Sequence, residues 1–155
     1  DGGADGGDAH GEAEALPEAA GLTNLAVDAK LAASSTQQKW AGEGPLTAVV
    51  DRNPNTRWST AYKDKQMLTF DLGEVRTVSI LRLDWEAAAA KHYVVSVSTD
   101  GKAWKLAAEQ KDGAAKDRID VIKLDDVKTR FVRLDLEKRA TEYGFSLYEV
   151  EIWGK

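Results

Sequence analysis

From residue 66 onward, apolar and polar positions alternate with the two-residue period that sends side chains to opposite faces of a β-strand. Leu68, Phe70 and Leu72 share one face, and 75–85 carries Val78, Leu81, Leu83 and Trp85. Tyr93, Val95 and Val97 alternate cleanly. Asp100-Gly101 then supplies a hairpin-type turn ahead of Trp104. Residues 119–124, 131–136 and 147–153 complete a set of about seven short strands with little helix between them, the pattern of an antiparallel sandwich or barrel. The alanines at 87–90 have helical propensity, but four residues are too few for a stable helix, so they are read as a loop or a single turn. No internal repeat is present.

The first 23 residues differ. They are rich in Gly, Ala, Asp and Glu, lack aromatics, and have Pro17 as their one proline. Such a stretch buries too little apolar surface to offset its ordering entropy. It is read as a disordered acidic linker over 1–23, with a weak helical tendency across 12–20, ahead of one module over 24–155. A tail with no neighbouring domain gives the same composition.

Charge follows this division. Asp1, Asp5, Asp8, Glu12, Glu14 and Glu18 precede the first basic residue, Lys30. They are six of the 26 acids; the other 20 face 21 Lys and Arg, so the overall −5 becomes +1 for the rest. A near-neutral module has no basic footprint for nucleic acid. No apolar run reaches the roughly 18 residues of a membrane span. There is no cysteine, which removes a disulfide framework and a thiolate zinc site, and no leader with a basic start and apolar centre stands at the amino end.

Several short motifs occur in order: Asn24-Leu25-Ala26, Ala33-Ser34-Ser35, then Ala48-Val49-Val50-Asp51-Arg52-Asn53-Pro54-Asn55-Thr56-Arg57-Trp58-Ser59. Phe70-Asp71-Leu72-Gly73, Leu83-Asp84-Trp85-Glu86 and Val97-Ser98-Thr99-Asp100-Gly101 come next. Arg130-Phe131-Val132-Arg133-Leu134 and Tyr143-Gly144-Phe145-Ser146-Leu147-Tyr148-Glu149-Val150 close the series. Together they resemble the F5/8 type C (discoidin-like) domain, and more narrowly the bacterial family 32 carbohydrate-binding modules, over residues 24–154. The resemblance implies an all-β, antiparallel β-sandwich of jelly-roll, galactose-binding-like type. It implies a secreted bacterial module that anchors a larger enzyme to a polysaccharide. The disulfide that joins the ends of animal discoidin domains is missing, which favours the sugar-binding branch.

The run 51–56 concentrates oxygen donors. It begins like an EF-hand loop but has Thr56 where that loop needs Gly and Tyr62 where it needs Glu. Locally it reads as a plain Asx-Pro turn. The resemblance implies instead a structural calcium ion, held by Asp51 and Glu149 carboxylates, the Thr56 hydroxyl and carbonyl, and the carbonyls of Ala48, Asn53 and Tyr148. Glu149 lies between core positions Leu147 and Val150, where a carboxylate needs a partner.

Sugar binding needs an aromatic surface for a pyranose face and planar polar groups for its hydroxyls. Trp58, Trp85, Trp104 and Trp153 sit in strand patterns and read as core. Trp40 lies in a polar, Gly-containing loop and is open to two readings, a contact platform or a cover over a core edge. The resemblance points to Arg57 and Tyr62 after the first tryptophan motif, to Glu86 after the strand-ending Trp85, and to Arg139 and Tyr143 in the loop before the last strand. For each of these, a solvated surface role stands beside contact. The histidine common in galactose-binding members is absent from 59–62, which argues against galactose. Glu86 would suit an amino sugar such as chitosan, whereas Lys91, Lys138 and Arg139 would suit a uronic acid polymer; a β-glucan stays open with them.

An enzyme is the first alternative. Lys91-His92-Tyr93 has the residue types of a polysaccharide lyase, but Tyr93 belongs to an apolar strand face and His92 reads as a surface strand end. No HExxH, GxSxG or P-loop occurs. A protein- or cell-surface adhesion module on the same fold is the second alternative; the polar loops favour a hydroxyl-rich ligand. A shallow sugar site implies a single-site Kd on the order of micromolar to millimolar.

Overall fold

A computed structural model describes residues 19–155. Of the linker expected over 1–23, residues 1–18 lie outside the described residues, while Ala19 is buried and Thr23 opens β1, so the folded part begins earlier than the composition suggests. Eight strands follow in chain order: β1 (Thr23–Asn24), β2 (Lys30–Ala33), β3 (Trp58–Ser59), β4 (Gln66–Trp85), β5 (Ala90–Ser98), β6 (Lys105–Gln110), β7 (Arg118–Arg139) and β8 (Ser146–Gly154). A short 3-10 turn, Leu46–Val50, precedes the 51–57 loop. Every named strand pairing is antiparallel.

Two strands are twice as long as the alternation suggests. The runs 67–72 and 75–85 join into β4, and 119–124 and 131–136 join into β7. Between the arms of β4 the register with β7 shifts, from Asp71 opposite Phe131 to Arg76 opposite Thr129. Gly73, at φ +89°, takes the bend, and Asp71 Oδ1 accepts its N–H at 2.9 Å. The sequence marks a turn there. The chain bends without releasing its ladder, because a bulge keeps the hydrogen bonds on either side.

The first arm of β4 pairs with β2 and with the 131–136 arm of β7, which continues to β5 and β6. The second arm pairs with β8 and with the 118–129 arm of β7, and β1 and β3 flank β8. Leu68, Phe70, Val132 and Leu134 of one layer pack in a single core with Leu81, Leu83, Val150 and Ile152 of the other. The result is the expected two-layer antiparallel β-sandwich.

Trp58 and Trp85 are fully buried, as read from the sequence, while Trp104 and Trp153 are only half-buried on outer faces. Trp104 stands under the Arg133 guanidinium, 4.0 Å from its ring, and Trp153 donates its Nε1–H to Glu151. A wet, polar outer face suits an indole that has a donor to satisfy. At the edge of the core, half-buried Asp120 accepts from Trp85 Nε1 (3.2 Å) and Tyr93 Oη (2.7 Å) and is paired with Arg118. β6 carries Lys-Leu-Ala-Ala-Glu-Gln, a composition that favours helix; pairing with β5 overrides it. Of the alanine run 87–90, residues 87–89 form a loop and Ala90 opens β5, with Ala89 and Ala90 buried.

Candidate functional site

Loops 37–44, 59–62, 86–88 and 141–146, with Ala115, meet at one end of the sandwich around a cleft of about 380 Å³. Trp40, Arg57, Tyr62, Glu86 and Tyr143 all line it. Of the proposed contacts, Arg139 alone does not. Its Nε donates to Asp64 Oδ1 at 2.9 Å and its Nη1 to the carbonyls of Glu142 and Tyr143, so it braces the loop that presents Tyr143.

The aromatic wall is exposed and ordered. Trp40 is 51% exposed, Tyr143 49% and Tyr62 37%, which is unusual for side chains of this size within one cleft. Trp40 Nε1 donates to Tyr62 Oη at 2.8 Å, and the rings of Tyr62 and Tyr143 meet edge to face at 5.7 Å. Each ring therefore helps orient the next. Trp40 stands exposed at the cleft, the placement that the platform reading requires.

Glu43 was not legible as a site residue. It organises the turn below Trp40: its Oε1 accepts the backbone N–H of Lys39 (2.7 Å) and Trp40 (2.8 Å), and its Oε2 accepts from Gln37 Nε2. Burial works to raise its carboxyl, but the N–H groups of Trp40 and Lys39, helped by Ser59 and Gln37, outweigh it and hold the group below the usual range. Glu43 is thus a fixed anion in the cleft. Glu86 is a second acid lining the cleft; its Oε1 accepts the N–H of Ala88. Between them, Ser59 and Ser146 share a hydrogen bond at the floor. Arg57 donates from Nη1 to the Ala41 carbonyl, while its buried Nε has no protein partner. The one signal for Glu43 in the sequence was an acid inside Ala41-Gly42-Glu43-Gly44-Pro45, a stretch that must reverse direction.

A second centre lies on the other side of the 51–57 loop. Asp51 accepts Asn53 N–H on Oδ1 (2.9 Å) and the Thr56 hydroxyl on Oδ2 (2.7 Å), and Thr56 Oγ1 stands 3.2 Å from the Asn53 carbonyl. Arg52, at φ +59°, turns its N–H onto both Glu149 oxygens (3.1 and 3.3 Å). Glu149 is 7% exposed. Burial pushes its carboxyl up to about 8, with nearby Asp51 adding to the rise and the Arg52 N–H opposing it. The loop and β8 therefore bring a carboxylate, a carbonyl and a hydroxyl close to a buried acid whose one bonded donor is a backbone N–H. This oxygen-only set fits a hard cation. It has two carboxylates, in keeping with the absence of any metal-competent group of three or more acidic, histidine or cysteine side chains among the described residues. Directly opposite Glu149 in the ladder, on β4, Asp84 is fully buried with neither oxygen hydrogen-bonded, and burial raises its carboxyl to about 8; Arg82 opposes this but is engaged by Glu151 at 3.3 Å.

The sequence model of the F5/8 type C domain matches residues 30–150. Among solved structures, chitosan-binding module 1 of a chitosanase/glucanase from Paenibacillus sp. IK-5 is 33% identical, with 85% of this chain and 99% of that one covered and a TM-score of 0.76. Chitosan-binding module 2 of that enzyme, solved with chitotriose, is 34% identical over 84% of this chain and 100% of that one, with a TM-score of 0.75. A polysaccharide lyase 8 family protein, HylA, from Enterococcus faecalis (strain ATCC 700802 / V583) is 34% identical over 85 residues. That match spans 54% of this chain and only 6% of the lyase-family protein's length.

Proposed function

Because the chain belongs to the F5/8 type C domain family, we propose that it is a non-catalytic binding module whose end cleft holds a glucosamine polymer of the chitosan type. The observation that carries this reading is the pair of carboxylates, Glu43 and Glu86, in one cleft with three exposed rings. A protonated amino sugar gains charge-assisted hydrogen bonds from such acids, which a neutral β-glucan does not, and a uronic acid polymer is repelled by them. The rings of Trp40, Tyr62 and Tyr143 cover the apolar pyranose faces. The 33–34% identity to two modules described as chitosan-binding supports the same ligand.

The function of such a module is concentration. A shallow cleft gives weak single-site binding, and a catalytic domain tethered to it, in a secreted enzyme, would gain effective substrate concentration through the attachment. Isothermal titration with glucosamine, β-1,3-glucose and galacturonic acid trimers tests the ligand. Heat with the glucosamine trimer, lost when its amines are acetylated, supports the reading. Binding of the uronic trimer but not the glucosamine trimer sinks it.

The second centre is read as a structural calcium site, held by Asp51 and Glu149 through carboxylates, Thr56 through its hydroxyl and carbonyl, and Ala48, Asn53 and Tyr148 through carbonyls. What supports this is the buried Glu149 carboxylate beside an oxygen-rich turn. The ion would supply the positive charge that this acid lacks and fasten the 51–57 loop to β8.

A further inference from the structure

We infer that the cation loop and the sugar cleft are positively linked, so that calcium tightens sugar binding through Arg57 and the turn at 41–44. The inference rests on both readings above. Arg57 directly follows Thr56, the last oxygen donor of the cation loop. Its backbone is tied to the cleft turn on both sides: its N–H donates to the Gly42 carbonyl at 2.9 Å, and its carbonyl accepts the Gly44 N–H at 2.8 Å. Its side chain adds a third tie, Nη1 to the Ala41 carbonyl at 3.1 Å. That turn contains Glu43, which closes on the Trp40 N–H, and Trp40 reaches Tyr62. The path from a cation ligand to the aromatic wall is therefore one peptide bond and a short run of hydrogen bonds.

The loop itself is lightly held. The Asp51, Asn53 and Thr56 hydrogen bonds are all exposed, and bonds of that kind open at low local free energy. An ion that fastens Asp51 and Thr56 to Glu149 orders the segment from which Arg57 departs. The cleft turn is then ordered before sugar arrives, and the sugar bears less of that entropy cost. Linkage of this kind needs no change in mean structure. It must also be reciprocal, because sugar raises calcium affinity by the same factor that calcium raises sugar affinity. Gly42 marks the joint. At φ +89° a side chain there is strained, and an added Cβ would stand 2.8 Å from Arg57 Nη1 and displace it from the Ala41 carbonyl.

The test is a pair of titrations on the full chain. Glucosamine trimer is titrated with saturating calcium and with EGTA, and calcium is titrated with and without saturating trimer. Equal gains of about fivefold or more in the two directions are expected. Asp51→Asn should bind trimer as the chelated wild type does and ignore calcium. Gly42→Ala should shrink the shared factor toward one while calcium still binds. Calcium binding with unchanged sugar affinity overturns the linkage alone. Sugar binding with no calcium binding rejects the cation reading and the linkage together, and leaves the sugar reading standing. No sugar binding in either condition rejects the ligand and the linkage with it. A Gly42→Ala factor equal to the wild-type factor removes the route through Arg57.

Discussion

Glu43 and Glu149 bear on the two ends of one short loop, and the fold treats them in opposite ways. The Glu43 backbone bridges Arg57, and its carboxylate is surrounded by N–H groups that keep it ionised. Glu149 meets Arg52 at the other end, is more deeply buried, and has its carboxyl raised to about 8. A carboxylate already satisfied by its own chain is a finished part, ready to meet a ligand as a fixed charge. A carboxylate left short of positive charge is an unfinished part that a cation would complete on the calcium reading. The contrast matches the two proposed roles, recognition at the cleft and a structural ion at the 51–57 loop, without reference to motif.

The largest test acts on Glu149. With calcium chelated, its folded pKa lies above its unfolded one, so the native state holds a proton that the unfolded chain has released. Stability is then full below about pH 4.5 and falls as pH rises toward about 8. At about 1.4 kcal/mol per pH unit, roughly 3 kcal/mol is at stake between pH 5 and 8. Melting in EGTA across that window should show the loss, and Glu149→Gln should shrink it while abolishing stabilisation by calcium. Asp84 contributes a slope of the same sign, which the variant leaves in place. Flat EGTA melts would contradict the contrast.

The next effect is on Glu43. Removing a charged acceptor that serves two backbone N–H groups, Gln37 and the ligand should cost about 2 kcal/mol of binding, or roughly 30-fold. Glu43→Ala should run through a soluble chitosan gel without retardation while melting close to wild type. Retention equal to wild type would leave Glu43 as a turn residue with no part in recognition. Arg139 gives the smallest change. It acts through the carbonyls of Glu142 and Tyr143, so Arg139→Ala should weaken the trimer by about fivefold, near 1 kcal/mol, with Tyr143→Ala on top of it adding less than Tyr143→Ala alone does in wild type.

What was legible divides along the same physical lines. Strand alternation exposed the core of both layers, because a half-buried strand must alternate to be one. Trp40, Tyr62 and Tyr143 were readable as loop aromatics, since nothing in their neighbourhoods required them to be core. Glu43, Ala115 and the floor pair Ser59 and Ser146 were not, because their placement depends on loops far apart in the chain closing over one end. Arg139 has the composition of a contact but serves as a brace, a distinction set by the position of Asp64, 75 residues earlier. The joining of four runs into β4 and β7 was hidden as well: a turn signal such as Gly73 does not say whether the ladder breaks or bends.

β8 starts at the cleft with Ser146 and ends at Gly154, where it lies beside Thr23 of β1. The carboxyl end of β8 and the start of β1 thus lie at the pole opposite the cleft. Tension between a held polymer and a tether at Gly154 would run along β8 itself, from Ser146 to Gly154. Its ladder to β4 extends from Leu147 to Gly154, so the hydrogen bonds would be loaded side by side in shear, not peeled one at a time. On the proposed binding reading, a pull applied at Gly154 would load the sandwich along its strong axis.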